Sequence, residues 1–334
     1  MLNKIIPIKM GQYGTKHSHA RGVLQVILEN TNVDFQGVYE PDLARRDQLI
    51  DSKEEPWSKI KWLENKEELL DDPDIVAIAS EGSNLESLDQ TEEIVKAGKN
   101  VFYDKPAGDN YSQFDRIVSQ AKEKGLLIQL GYMFRYHDGF EKISRWAKSG
   151  FLGNIFAVRA HMSTSVDLNS NLSASAHTGG IFYDLSGHVL DQIVWILGRP
   201  NKVTSFMRQD IDHKESFVDN GVAVLEYNSA IATVDISAME PSPTARRFEI
   251  YGDAGSVIME PFEPADTLRL CITSEKDDYP SGISIIKLED RRRYVNSLQA
   301  FIQDLRDDKQ PDRSLDHELV VQETILRATG QITE

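Results

Sequence analysis

Val101-Phe102-Tyr103-Asp104-Lys105-Pro106-Ala107-Gly108 decides how the rest of the chain is read. Three β-prone apolar residues run into an acid, a lysine, a proline and a glycine. In an open parallel sheet, ligands bind beyond the carboxyl ends of the strands. A strand ending at Tyr103 therefore carries Lys105 to a ligand crevice. Pro106 fixes its own φ and biases Lys105 towards an extended backbone, which aims the ammonium. A solvated lysine in a strand-to-helix loop is the bland alternative. Lys105 alone does not displace it; the flanking segments do.

Upstream, strand and helix patterns alternate. Ile5 to Ile8 reads as a short buried strand, with Pro7 an oddity in it. Lys9-Met10-Gly11-Gln12-Tyr13-Gly14-Thr15-Lys16-His17 follows. A dinucleotide fingerprint asks for G-x-G-x-x-G between a strand and a helix. Gly11 and Gly14 fit its second and third glycines, and Lys9 stands where the first belongs. Two glycines three apart are more often just a turn. A helix over Ala20 to Asn30 leads to a strand at Phe35 to Tyr39, closed by Glu40-Pro41-Asp42. An acid there accepts from the adenosine ribose hydroxyls and repels a 2′-phosphate. Glu40 therefore favours NAD. Arg45 and Arg46, a turn further on, keep NADP open. Glu40 also reads as a plain helix-start acid.

Asp74 to Ser80 is a nearly continuous apolar run, the pattern of a buried parallel strand. Ser83 and Glu86 have capping-box spacing before the next helix, which stops at Gly98. The strand Asn100 to Tyr103 delivers Lys105, a helix over Gln113 to Lys124 ends at Gly125, and Leu126 to Leu130 is a further strand. The expected form through residue 130 is a doubly wound parallel sheet.

Composition narrows the function class. The 334 residues suggest two domains, and 40% apolar residues supply a sizeable core. Net charge is −16, which argues against a nucleic-acid or anionic-membrane partner. A single cysteine, Cys271, rules out a disulfide framework or a cysteine-rich zinc site and reads as a small buried hydrophobe. No run reaches the ~18 apolar residues of a membrane helix, and the N-terminal apolar run is too short for a signal peptide. The expected location is cytoplasmic.

Gly131-Tyr132-Met133-Phe134-Arg135-Tyr136-His137 follows the last parallel strand and should lie at the crevice; Arg135 suits substrate oxygens or a structural ion pair. A helix over Asp138 to Gly150 comes next. After Gly153 the pattern changes to eight strand-like runs with short connections, Asn228-Ser229 and Gly252 to Gly255 among them. Short connections mean antiparallel neighbours. Val222/Val224 and Ala223/Leu225 put apolar residues on both faces, one for helices and one for a subunit partner. Two helices, near Arg292 to Asp307 and Asp316 to Thr329, end the chain.

One helix interrupts the strands, from Gly179-Gly180 through Asp184, His188 and Asp191 to Trp195. The three titratable residues share one helical face. An acid beside an imidazole orients it for base catalysis near neutral pH. The glycine pair would let another chain or a ligand come close. A helix-start acid and a satisfied core histidine are the bland readings. No metal is expected: Asp184 and His188 with His17 or His19 lack a further ligand cluster.

Taken together, these segments resemble the glucose–fructose oxidoreductase / inositol dehydrogenase / rhizopine-catabolism family over nearly the whole chain. Asp104-Lys105-Pro106 looks like the family's Glu-Lys-Pro. Gly179-Gly180 with Asp184, His188 and Asp191 looks like its glycine-rich Asp-x-x-x-His-x-x-Asp helix. The resemblance implies α/β architecture: an N-terminal Rossmann domain over 1–130, and a C-terminal α+β domain over 131–334 with an open, mostly antiparallel sheet that mediates homodimers or homotetramers. It implies NAD(P)-linked oxidation of a sugar or polyol. Lys105 holds the reacting oxygen and touches the nicotinamide ribose, His188 takes the hydroxyl proton, and Asp184 assists. His17 matches a histidine near the nicotinamide. Gly11, Gln12, Tyr13, Gly14, His17, Glu40, Ser80 and Lys105 are assigned to the cofactor; Tyr132, Arg135, Tyr136, His177 and His188 to the substrate. Lys9 for a glycine, Asp104 for Glu, and Ser80-Glu81-Gly82-Ser83-Asn84 without Pro-Asn depart from the pattern. Two other functions stand beside dehydrogenation: a glycoside hydrolase or epimerase that oxidises transiently, and a non-catalytic dinucleotide-binding regulator.

Overall fold

A computed structural model describes residues 6–166, 177–211 and 217–333; Ile5, part of the first expected strand, lies outside them. The chain divides into two compact units. One is Met1–Gly131 with Arg292–Leu315, the other Tyr132–Arg291 with Asp316–Glu334.

The first unit is built on β1 (Ile8–Tyr13), α1 (Ala20–Glu29), β2 (Val33–Tyr39), α2 (Leu43–Ser52), α3 (Glu67–Leu70), β3 (Ala77–Ser80), α4 (Ser87–Lys96), β4 (Asn100–Tyr103), α5 (Tyr111–Lys124) and β5 (Ile128–Leu130). The five strands form one parallel sheet in the order β2-β1-β3-β4-β5. The order reverses between β1 and β3, so their carboxyl ends flank the crevice where ligands bind in such sheets. All four β3 residues are buried, as helix-covered parallel strands must be. Val23, Leu24, Val26 and Ile27 form the buried stripe of α1. A helix near the end of the chain, Val295–Asp307, belongs to this unit; Phe301 packs on Phe102 with ring centroids 5.5 Å apart.

Two expectations shift here. The first strand is Ile8–Tyr13, so Pro7 precedes it and its missing N–H costs the sheet nothing. The third strand starts at Ala77; Asp74 to Val76 lead into it.

The second unit contains α6 (Asp138–Lys148), β6 (Ile155–His161), α7 (Gly180–Leu197), β7 (Lys202–Arg208), β8 (Asn220–Glu226), β9 (Ile231–Ser237), β10 (Arg247–Gly252), β11 (Gly255–Met259), β12 (Thr267–Ile272), β13 (Gly282–Lys287) and, after α8 (the Val295–Asp307 helix), α9 (Leu315–Ala328). Its eight strands run β13-β12-β11-β10-β6-β9-β8-β7, antiparallel except for the β6–β9 pair. The period-two pattern sorts the faces. Val158, Ala223, Val234, Ile250, Val257 and Leu270 lie on the inner face and are fully buried, each Val, Ile or Leu contributing about 1.5–3 kcal/mol. Helix α7 packs against β8 and β9. The register puts Phe206, Ile231, Ile283 and Ile285 on the opposite face, all more than half exposed.

Candidate functional site

Lys105 leaves β4 at its carboxyl end, as the opening stretch implies, and is 3% exposed. Its backbone N–H donates to Asp104 Oδ1 at 2.7 Å. Asp104 is buried too, and two imidazoles converge on it: His17 Nδ1 is 2.9 Å from Oδ2, and His19 Nδ1 is 3.0 Å. Burial alone would raise the Asp104 pKa; the charges and hydrogen bonds of His17 and His19 outweigh it and hold the carboxyl well below its usual range. Glu81, just past β3, is 0% exposed and pushed well above the usual carboxyl range, by burial first and by the Asp104 charge second.

The glycines fall differently from the fingerprint read in sequence. Lys9, Gly11, Gln12 and Tyr13 lie inside β1, with Gly11 paired to Ile78. A residue within a strand cannot form the turn that follows it. Lys9 bonds Asp74 at 2.7 Å, and the Tyr13 hydroxyl donates to Glu93 at 3.0 Å. The chain leaves the strand at Gly14, with φ +86°, so Gly14 opens the turn instead of closing it. A Cβ there would stand 2.7 Å from Gly82 N, which only glycine avoids. Ser80 is buried and accepts from Thr91 at 3.1 Å. Glu40 sits at the end of β2, 1% exposed, accepting from the Thr15 hydroxyl at 2.7 Å and from Asp42 N–H at 2.9 Å. An open cavity of about 520 Å³ beside that turn is lined by Lys16, Asp42, Ala44, Arg45 and Gln48.

In the second unit, α7 carries Asp184 half-buried and His188 2% exposed. The His188 ring meets Phe134 and Tyr132 edge to face, with centroids 5.4 and 6.1 Å away. Burial pushes the Tyr132 phenol far up, and Glu318 and Asp191 add to it, so it stays protonated. His177 stacks on Tyr183 at 4.6 Å. Tyr136 is half-buried, and its carbonyl accepts from Arg291 at 3.1 Å.

Arg135 does not point at a crevice. It is 4% exposed, and its guanidinium donates to Asp191 Oδ1 at 2.7 and 3.0 Å and to both Glu318 oxygens at 2.6 Å. The ion-pair alternative is the one realised, and Asp191 also lies 2.8 Å from His317 Nε2. The glycine pair likewise serves the chain itself. A Cβ on Gly179 would meet Thr329 Cγ2 at 2.3 Å, and one on Gly180 the Val218 carbonyl at 2.3 Å.

Residues 10–132 match the family described as "Oxidoreductase family, NAD-binding Rossmann fold", and residues 140–258 match the GFO/IDH/MocA C-terminal domain. The chain belongs to the glucose–fructose oxidoreductase / inositol dehydrogenase / rhizopine-catabolism family. Myo-inositol 2-dehydrogenase of Thermotoga maritima is 26% identical over 91% of this chain and 88% of its own. The NAD(+)-dependent scyllo-inositol 2-dehydrogenase of Bacillus subtilis is 27% identical over 75% and 73%. A structure of levoglucosan dehydrogenase with NADH and levoglucosan has the same fold, with a TM-score of 0.80 at 15% identity over 98% of both chains.

As a member of this family the chain is an NAD(P)-binding oxidoreductase, and its residues fit a dinucleotide. The turn at Gly14 is bare backbone against Gly82. The α1 N-terminus carries no acid in its first turn, which leaves its positive dipole end uncompensated and suited to an anion. Among the described residues no helix is long and apolar enough to cross a membrane. Spacing alone did not assemble His17, His19, Asp104 and Glu81. The available signal was the His-x-His pair at a strand-to-helix turn together with two acids at the ends of neighbouring strands.

Proposed function

We propose that the protein oxidises a secondary alcohol of a sugar or polyol with NAD(P), using Lys105, Asp184 and His188. The observation that carries this reading is Lys105 itself: a buried lysine at the carboxyl end of a parallel strand, its backbone pinned by the preceding carboxylate. When bound, the nicotinamide supplies the hydride acceptor. The Lys105 ammonium holds the reacting oxygen, and His188 takes the hydroxyl proton as the C–H bond gives up its hydride. Asp184, one helical turn before His188, orients the imidazole. Tyr132, packed on His188, keeps an O–H to offer the substrate. The loop after Gly14 and the α1 N-terminus would hold the pyrophosphate, and Glu40 with Thr15 the adenosine side. The inositol and levoglucosan dehydrogenases named above support the substrate class. The open sheet face, with Phe206, Ile231, Ile283 and Ile285, is proposed as the self-association surface.

The test is a panel of cyclitols, aldoses and anhydrosugars incubated with NAD or NADP and followed at the nicotinamide absorbance. Sustained NADH or NADPH formation with one class is the expected result. Product formed without net reduction of the cofactor would replace this reading with a transient-oxidation enzyme, and neither product nor reduction with any member would contradict both.

A further inference from the structure

His17 and His19 stand at the start of α1, and in sequence they offer no third partner. The fold supplies one 85 residues further on. His17 Nδ1, His19 Nδ1 and an Asp104 oxygen all lie within 4.8 Å of one another, with the carboxylate oxygen 2.9 and 3.0 Å from the two nitrogens. The histidine rings meet edge to face, centroids 4.8 Å apart. Ligands at about 2.1 Å from an octahedral ion are separated by about 3.0 Å along the edges. The two nitrogen–oxygen spacings, 2.9 and 3.0 Å, match such an edge.

A second observation comes from Glu81. Both of its carboxyl oxygens are buried and have no hydrogen-bond partner among the described residues. A buried carboxyl without a partner costs about 1–3 kcal/mol, so an orphan of this kind calls for an occupant. The Glu81 backbone adjoins the cluster, since its carbonyl accepts the His17 N–H at 3.1 Å. His19 is the one member with an exposed side, at 22% of its side chain, so the cluster is reachable from solvent.

We propose that His17, His19 and Asp104 form a binding site for a divalent first-row transition-metal ion of the zinc class. Two imidazoles with a carboxylate suit zinc and its neighbours and disfavour magnesium and calcium, which take oxygen ligands. Asp104 Oδ2 would ligate while Oδ1 keeps the Lys105 N–H, so the ion would fix the strand end that carries the lysine. The proposal stands on these three residues and does not depend on the hydride-transfer reading.

The experiment titrates chelator-treated, full-length protein, without dinucleotide, with Co²⁺ followed by its visible bands and with Zn²⁺ followed by calorimetry in two buffers of different ionisation enthalpy. One ion per chain at a dissociation constant of about 1 µM or tighter is expected. His19→Gln, partly exposed and therefore compatible with folding, should weaken binding by about 100-fold or more. Circular dichroism checks that the variant is folded. No binding at about 1 mM metal, or binding by folded His19→Gln at the parent affinity, would overturn the proposal.

Discussion

Glu40, buried at the end of β2, accepts a hydrogen bond from the Thr15 hydroxyl at 2.7 Å. The bond ties the turn after β2 to the loop that follows Gly14, so the carboxylate is fixed in place. It sets a negative charge beside the cavity that Lys16 and Arg45 line. Removing that charge should favour a 2′-phosphate. Glu40→Gln is expected to raise the NADP-to-NAD ratio of kcat/KM by about tenfold, or about 1.4 kcal/mol. An unchanged ratio would show that the acid plays no part in the choice.

Arg135 gives the clearest stability prediction. Its two carboxylate partners, Asp191 and Glu318, are both 0% exposed. Truncating the arginine takes the guanidinium away from two buried carboxylates, a loss of about 3–5 kcal/mol. Arg135→Ala should therefore lower the denaturant midpoint sharply. A substrate-anchoring arginine would behave otherwise, raising KM with the midpoint intact, and that result would restore the role read from sequence.

His161 joins β6 to β9. Its Nδ1 bonds Asp235, and Nε2 lies 3.1 Å from Glu240. The Asp235 bond raises the His161 pKa against partial burial, and Glu240 adds to the rise. Both ring nitrogens can donate only when the ring is protonated. A raised folded pKa means stability that is full below the unfolded value, about 6.5, and is lost as pH climbs through the folded value. His161→Gln should therefore cost about 1 kcal/mol at pH 6 and nearly nothing at pH 9. Equal losses at both pH values would contradict the ion-pair account.

The open face of the larger sheet carries Phe206 and Ile285, 63% and 64% exposed. Covering such a face stabilises by removing apolar area from water. Light scattering of the parent protein should give a multiple of the 37.7 kDa chain, and Phe206→Asp with Ile285→Asp should lower it. A single-chain mass for the parent protein would end the idea.

Much of this was legible in the sequence because it depends on local pattern. Asn100–Tyr103 and Ile231–Ser237 are strands over the residues that alternation and apolar runs pick out. Gly125, φ +67°, stops α5 where a C′ glycine should. What was not legible depends on side chains meeting across the fold. Spacing cannot say that Arg135 faces Asp191 and Glu318, since Glu318 lies 183 residues away. The fingerprint slipped for a different reason. Gly11 and Gly14 have the right separation, but the strand runs on to Tyr13, and separation does not locate a strand's end. That α8 belongs with the first unit was also hidden, because an amphipathic stripe does not name the sheet it covers.

The most direct test of the central claim is kcat/KM for Lys105→Ala and His188→Ala on the substrate that the panel identifies, alongside NADH affinity and circular dichroism. Both variants should fold and bind the cofactor yet lose at least about 100-fold in turnover, as loss of an acid–base group does. Folded variants that both turn over at close to the parent rate would contradict the assignment of Lys105 and His188 to the reaction.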